Sequence, residues 1–145
     1  MSDTLPGAVA AANVAAFWRG VDAHDWDLVG SVLAPDFVRI GMRGDESDTC
    51  RGREAYLRFV SAVVGRMYFH ELRSRRTFLS PDARSALNEA VEVIQPTPEA
   101  PRNTMRFANV MELDAGGLLT RLDIYWKTPS IQPPAWIVPG AVGAP

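Results

Sequence analysis

The chain has 145 residues, of which 47% are hydrophobic and 22% are charged, and its formal net charge is −2. These values are ordinary for a globular protein with an apolar core, so we expect one domain over residues 1–145. Neither sign of charge dominates, which gives no reason to expect nucleic acid or a membrane as a partner. The start of the chain lacks the pattern of a secretory signal, and no apolar run reaches the about 18 residues that a membrane span needs. We therefore expect a soluble, cytoplasmic protein.

The first half of the chain has the spacing of helices. Apolar residues recur at i, i+3, i+4 and i+7 as Val14, Phe17, Trp18 and Val21. This spacing predicts a helix over 8–23 with one buried face. Asp25 is placed to cap a short second helix that ends at Pro35-Asp36. A strand is predicted over 37–42, a solvated charged loop over 41–51, and a third helix over 52–65.

After Gly65 the apolar period changes from 3.6 to 2, which predicts strands. Four strands separated by turn residues are expected at 67–79, 84–95, 104–113 and 118–127. The connections are short, so consecutive strands should pair as antiparallel hairpins. The core then spans about 8–128, and the proline-rich tail 129–145 should be irregular. Because the tail carries Trp136, Ile137 and Val138, we expect it to fold back over the domain.

This order of elements resembles that of the nuclear-transport-factor-2-like superfamily. Two segments carry the resemblance, Val21–Val38 with its Asp-rich link and Leu118–Lys127 with an acidic residue two positions before a Tyr. Within the superfamily, the chain is most similar to SnoaL-like polyketide cyclases and limonene-epoxide hydrolases. The resemblance implies an α+β fold: a cone-shaped, curved antiparallel sheet with three N-terminal helices around one pocket. The superfamily also contains ketosteroid isomerase and non-catalytic members, so the fold alone does not fix a function.

Alternate residues of a strand face opposite sides, and this parity orients the candidate site residues. In the families named above, the residue that matches Asp123 faces the cavity. The resemblance also places Glu92 inside, and parity turns His70 inward. The strand at 104–113 should contribute Met105, Phe107, Asn109 and Met111 to the lining. Leu122, Ile124 and Trp126 would then lie on the outer face and, with Val91 and Val93, bury a homodimer interface.

Three residues are candidates for catalysis: Asp123, Glu92 and His70. A carboxylate in an apolar cavity resists ionisation, so Asp123 could take up and return a proton near neutral pH. The SnoaL-like cyclases are thought to use an acidic residue at this position for ring closure. Candidates for substrate binding are Asn109, Tyr68, Tyr125, Arg39, Phe107, Met111 and Trp18. For the candidate residues a purely structural role also remains open. His70 could serve core packing, and Asp123 could hold a neighbouring Arg.

The chain departs from both enzyme patterns. Ala90 stands where the epoxide hydrolases have an Arg that bridges two carboxylates, and Arg39 and Gly41 replace residues that hold the attacking water. Arg39 could supply the missing guanidinium. The base of ketosteroid isomerase would fall near Ile40 or Gly41, where no base exists, although Asn109 could donate a hydrogen bond to an oxyanion.

The sequence therefore predicts an enzyme without a cofactor that acts by acid/base catalysis on a hydrophobic, oxygenated small molecule. The reaction would be a cyclisation, an isomerisation or the opening of an epoxide. The alternative is a non-catalytic domain that binds a small molecule or assists a partner. No metal site is expected, because two histidines and Cys50 do not make one.

Overall fold

The computed structural model describes residues 5–127 and contains three α-helices. They are α1 (Pro6–Ala23), α2 (Trp26–Ser31) and α3 (Arg53–Val63). Pro6 stands at the start of α1, where its missing N–H costs no hydrogen bond. Asp25 caps α2, since its Oδ1 accepts a hydrogen bond from the Leu28 amide at 3.0 Å. His24, between the two helices, adopts a left-handed conformation with φ 55°.

Within the described residues, six strands form one curved, unclosed sheet in the order β2-β1-β6-β5-β4-β3. The strands are β1 (Leu33–Ile40), β2 (Thr49–Arg51), β3 (Phe69–Leu79), β4 (Ser85–Gln95), β5 (Asn103–Leu113) and β6 (Leu119–Lys127). The α+β prediction is confirmed, but the sheet is mixed, because β1 pairs with β6 in parallel. Parallel neighbours need a long connection, and the chain from β2 to β5 supplies it.

The start of the sheet differs from the prediction in two places. β1 begins at Leu33, four residues early, and its pairing with β6 shifts register between Leu33 and Val38. Pro35 lies in this irregular part, where its missing amide does not interrupt a ladder. The predicted loop 41–51 contains β2, a three-residue strand that pairs with β1.

Helix α1 packs its apolar stripe against the inner side of the sheet. Phe17 and Val14 are buried, and the Phe17 ring meets the edge of Trp18 at 4.7 Å between centroids. Burying such side chains stabilises the fold by about 1.5–3 kcal/mol each. The helix is also fastened to the sheet edge, since the Leu72 amide on β3 donates to Asp22 Oδ1 at 2.7 Å. These contacts fix Trp18 and the end of α1 against β3.

The other side of the sheet carries exposed apolar side chains, among them Phe78, Leu87, Val110 and Tyr125. Leu122 is buried in the core and Ile124 packs against that core, so they do not lie on the outer face as expected. No helix within residues 5–127 is long and apolar enough to span a bilayer. The predicted folding of the tail 129–145 concerns residues outside the described range.

Candidate functional site

A cavity of about 310 Å³ lies between the inner side of the sheet, α1 and α3. Most of its lining is apolar, including Val21, Val60, Leu72, Ile94, Met105, Phe107, Leu122 and Ile124. Three lining residues, Met42, Phe59 and Val63, are more than a third exposed, so the mouth opens between α3 and the β1–β2 loop. An apolar chamber with a few polar groups is typical of small-molecule sites.

Two carboxylates from the described part of the chain line the cavity. One is Glu92, on β4, whose side chain is 14% exposed. Its Oε1 lies 2.7 Å from Nε2 of His70 on β3, and the His70 side chain has no exposed surface. The other ring nitrogen of His70, Nδ1, lies 3.0 Å from Nε2 of His24. The three residues therefore form a continuous hydrogen-bonded chain behind the cavity wall.

The ring of His24 is held by its neighbours at the end of α1. It stacks on Trp26 with 5.5 Å between centroids and 11° between planes. Burial lowers the pKa of His24, and the adjacent His70 ring lowers it further, against a smaller opposite effect of the Asp22 carboxylate. His24 is therefore largely neutral near pH 7. If Glu92 is ionised, it accepts from Nε2–H of His70, whose Nδ1 then accepts from Nε2–H of His24.

Asp48 is the second carboxylate in the lining, and Arg39 is its partner. Arg39 Nη1 lies 2.8 Å from Asp48 Oδ1, and the Arg43 amide donates to Oδ2 at 3.1 Å. Burial raises the pKa of Asp48, but these two donors together outweigh it and hold the pKa below its usual value. Asp48 is thus kept ionised by two donors, whereas the partner of Glu92 is the ring of His70. The two acids of one cavity are set up for different chemistry.

One buried donor in the lining has no hydrogen-bond partner within residues 5–127, the indole Nε1 of Trp18. The hydroxyl of Tyr56 on α3 belongs to the same lining; the residue is only 4% exposed, and burial raises its pKa. Buried donors are nearly always satisfied, so the Trp18 N–H favours an acceptor atom on a bound molecule.

Asn109 lines the cavity and is 1% exposed. Its Nδ2 donates to Asn88 Oδ1 at 3.4 Å, and Asn88 in turn donates to Ser74 and Thr77 on β3 at 2.8 and 3.0 Å. The two amides therefore join three strands from the inside. Asn109 is therefore held in position by hydrogen bonds between the strands of the sheet.

The structure brings together several of the residues predicted for the site. Glu92, Asn109, Arg39, Phe107 and Trp18 line one cavity, and His70 lies directly behind Glu92. Arg39 supplies a guanidinium to the lining, but its carboxylate partner is Asp48.

Asp123 lies on the opposite side of the sheet from the cavity, which corrects the predicted orientation. It pairs with Val110, which is 42% exposed, and its carboxylate lies 3.3 Å from Arg121. Its neighbours Leu122 and Ile124 take the inner positions, because the apolar half of β6 faces the core. The parity of β6 is thus the reverse of the one expected.

Three predicted substrate contacts also lie elsewhere. Tyr125 shares the outer face with Asp123 and is 58% exposed, and Tyr68 precedes β3 and is 62% exposed. Met111 faces inward but is fully buried in the core, beyond the cavity lining.

A second cavity, of about 410 Å³, corrects the expectation of one pocket. It lies between α1 and β3 and is lined by Ala11, Ala15, Trp18, Arg19, Asp22, Leu72, Ser74, Thr77 and Leu79. Trp18 and Leu72 line both cavities, so they form the partition between them. In the part of the chain that the structure describes, no group of three metal-binding side chains occurs.

Three residues of the site were not predicted from the sequence: His24, Asp48 and Tyr56. His24 is 46 positions from His70, and Asp48 lies in a segment expected to be solvated. Tyr56 alone gave a signal, because a Tyr within an apolar helical stripe brings a polar group to the buried face.

The model of the SnoaL-like domain family matches residues 14–122. Similar solved structures include an LEH-like epoxide hydrolase from M. tuberculosis, with 23% identity over 82% of this chain and 79% of that one and a TM-score of 0.68. RV0760c from Mycobacterium tuberculosis, solved with estradiol-17β-hemisuccinate, has 21% identity over 82% and 94% and a TM-score of 0.70. A putative polyketide cyclase from Xanthomonas campestris pv. campestris has 19% identity over 85% and 93% and a TM-score of 0.69. No curated protein matches the chain in sequence. These structures share the fold, and the family match covers most of the sequence: the chain belongs to the SnoaL-like domain family.

Proposed function

We propose that this protein is an acid/base catalyst acting on a compact, hydrophobic, oxygenated small molecule, with Glu92 as the catalytic carboxylate. The observation that carries the proposal is the pairing of Glu92 with the fully buried His70 at the wall of an apolar cavity. A carboxylate so placed can exchange a proton with a bound molecule while the imidazole holds it in position.

Two donors in the lining, the Tyr56 hydroxyl and the Trp18 indole N–H, extend this proposal to the substrate. Because burial raises its pKa, Tyr56 keeps its proton and can donate a hydrogen bond to an oxygen that gains negative charge in the reaction. Trp18 Nε1 offers a second donor. A molecule with a carbonyl, epoxide or hydroxyl oxygen satisfies one of them. Cyclisation, isomerisation and epoxide opening all remain within this chemistry.

The size of the cavity narrows the choice of substrate. A volume of about 310 Å³ is at the lower end of the range of about 300–1,000 Å³ for ligand sites. The steroid ester in the RV0760c complex suggests polycyclic compounds, and a volume at the lower end of the range favours terpene epoxides as the first compounds to screen. A cytoplasmic location, expected from the sequence, belongs to the same proposal.

The test replaces one carboxylate inside the cavity and one outside it. Glu92→Gln keeps the shape but cannot exchange a proton, so turnover of a terpene epoxide or polycyclic ketone should fall by about 10²–10⁴-fold. Binding of the same compound, followed by quenching of tryptophan fluorescence, should change little. Asp123→Asn makes the same chemical change on the outer face and should leave the rate close to that of the wild type. Equal losses in both variants, or a fully active Glu92→Gln, would contradict the assignment.

A binding-only role is the second candidate, and one observation favours it. Ala90 stands on β4 where the epoxide hydrolases have their bridging Arg, and Arg39 is engaged by Asp48. No guanidinium is seen bonded to Glu92 among the described residues. If the compounds bind but none is turned over, and Glu92→Gln alters only affinity, the protein is a carrier or sensor.

A further inference from the structure

Glu92 needs a route by which protons reach it while the cavity is occupied. The mouth is framed by the apolar side chains of Met42, Phe59 and Val63, and a hydrophobic ligand that fills the cavity excludes water from that side. A carboxylate that gives up a proton to such a ligand must be reprotonated from elsewhere. His70 and His24 lead away from the mouth, toward the junction of α1 and α2.

We propose that His70 and His24 form a proton relay that connects Glu92 in the cavity with solvent at the α1–α2 junction. This inference rests on the proposed function and assigns a role to two residues outside the cavity lining. The three side chains are joined by contacts of 2.7 Å and 3.0 Å. Both are within the distance at which a proton passes along a hydrogen bond.

The protons balance over three transfers. A proton from water adds to Nδ1 of His24, the Nε2 proton of His24 moves to Nδ1 of His70, and the Nε2 proton of His70 moves to Oε1 of Glu92. Both rings end neutral, each with its proton on the other nitrogen, and Glu92 ends as the carboxylic acid. The reverse sequence releases a proton that Glu92 has taken from a substrate.

The surroundings of the two rings suit this role. The His70 side chain has no exposed surface, so within residues 5–127 its protons exchange along the hydrogen-bonded chain. His24 is partly exposed, and its Nδ1 has no partner in the same range. The charged groups near the relay are Glu92 on β4 and Asp22 on α1, and the other face of His24 is covered by the Trp26 ring on α2. The lowered pKa of His24 leaves the ring free to accept a proton near pH 7.

The fold also shows how the relay is held together. The Leu72 amide, two residues from His70, donates to Asp22, two residues from His24. This bond fixes the end of α1 to the edge strand β3 and brings the two rings to a centroid separation of 5.1 Å. His24 itself has a left-handed backbone, and its side chain contacts that of His70 on the sheet.

A first experiment needs no substrate. The chain contains only two histidines, so the ring nitrogens of the ¹⁵N-labelled full chain give few NMR signals, which His24→Asn assigns. Asn is chosen because it tolerates a left-handed backbone. We expect Glu92→Gln to shift the titration midpoint of His24, which it does not touch, by way of His70. Glu89→Gln, the same change on the outer face of β4, should not. Equal effects of the two variants would overturn the connection.

The second experiment measures the relay during turnover, with a terpene epoxide as the probe. In weak buffer His24→Asn should lower kcat toward the lower end of the about 10²–10⁴-fold range for acid–base groups, with KM nearly unchanged. Added imidazole should restore part of the rate by carrying protons to His70, and it should not rescue Glu92→Gln. A wild-type rate in His24→Asn, with Glu92→Gln impaired, refutes the relay alone. A wild-type rate in Glu92→Gln refutes the proposed function.

Discussion

Glu92 and Asp123 show how position within a strand decides what a carboxylate can do. Glu92 faces an apolar cavity and a buried imidazole, whereas Asp123 lies on the other side of the sheet beside the half-exposed guanidinium of Arg121. An exposed ion pair of this kind contributes about 0–1 kcal/mol to stability. A charge on Glu92 can interact directly with a ligand in the cavity, whereas the charge on Asp123 is screened by Arg121 and by solvent.

His24 should make the stability of the protein depend on pH. Its pKa in the folded state is below the ordinary value of 6.5, so the unfolded chain binds more protons as the pH falls through that value. The free energy of unfolding should therefore decrease as the pH is lowered from about 7.5 to about 5.5. This window lies above the range where carboxylates titrate. Melting temperatures across this range measure the slope, which His24→Asn should flatten. Parallel curves for the two proteins would show that His24 is not responsible.

At the level of the elements, the β1–β2 connection is built around Gly41. A Cβ at this position would overlap the Asp48 carboxylate, which is held on both sides by Arg39 and by the Arg43 amide. Gly41 also donates its amide to the Asp48 carbonyl at 2.8 Å. The β1–β2 connection is therefore closely packed and held by hydrogen bonds as part of the cavity wall.

Gly41→Ala should displace Asp48 and separate it from Arg39. We expect the free energy of unfolding to fall by about 1–3 kcal/mol, as is usual when a partly buried charged pair is disturbed. Gly7→Ala is the matched control, because nothing lies within 4 Å of a Cβ there. It should leave stability unchanged or raise it by up to about 1 kcal/mol through helix propensity. Denaturant unfolding of both variants makes the comparison, and a similar small effect at both positions would contradict it.

The helices and strands also show how much of the fold and of the site could be predicted from the sequence. Strands β3 to β6 begin within about two residues of their predicted starts, because turn residues and period-2 patterns are local signals. Parity correctly turned His70 and Asn109 inward, and the family resemblance correctly placed Glu92 inside. The resemblance was wrong on β6, where it was given more weight than the apolar alternation of Leu122 and Ile124. The contact between His24 and His70 had no local signal, since it depends on how α1 docks on β3.

At the level of the whole molecule, the outer face of the sheet suggests how two copies could associate. Phe78, Leu87 and Val110 lie side by side on three adjacent strands and are 52%, 40% and 42% exposed. Tyr125, on the next strand, is also exposed. A continuous apolar patch of this kind commonly marks an interface. Of the residues predicted for a dimer, Leu122 and Ile124 face the core instead, whereas Val91 and Val93 lie on the outer face of β4.

We expect a homodimer through this patch, with a mass by light scattering of about twice 15.9 kDa. Val110→Lys places a charge in the patch and should yield the monomer. Thr104→Lys is the control, since it lies on the same face of β5 but about 20 Å away at about 3.4 Å per residue. A monomeric wild type, or a dimer that Val110→Lys does not weaken, would refute this interface.

Trp18 and Leu72 are the only described residues that line both cavities, so at these two positions a single side chain separates the chambers. A shorter side chain at Leu72 would join the chambers and lengthen the space open to a ligand, at a cost of about 2–5 kcal/mol in stability. The range of molecules that such a domain accepts can therefore change in a single substitution, without altering Glu92 or the histidines behind it. In this architecture, the size of the ligand can change while the residues proposed to transfer protons stay the same.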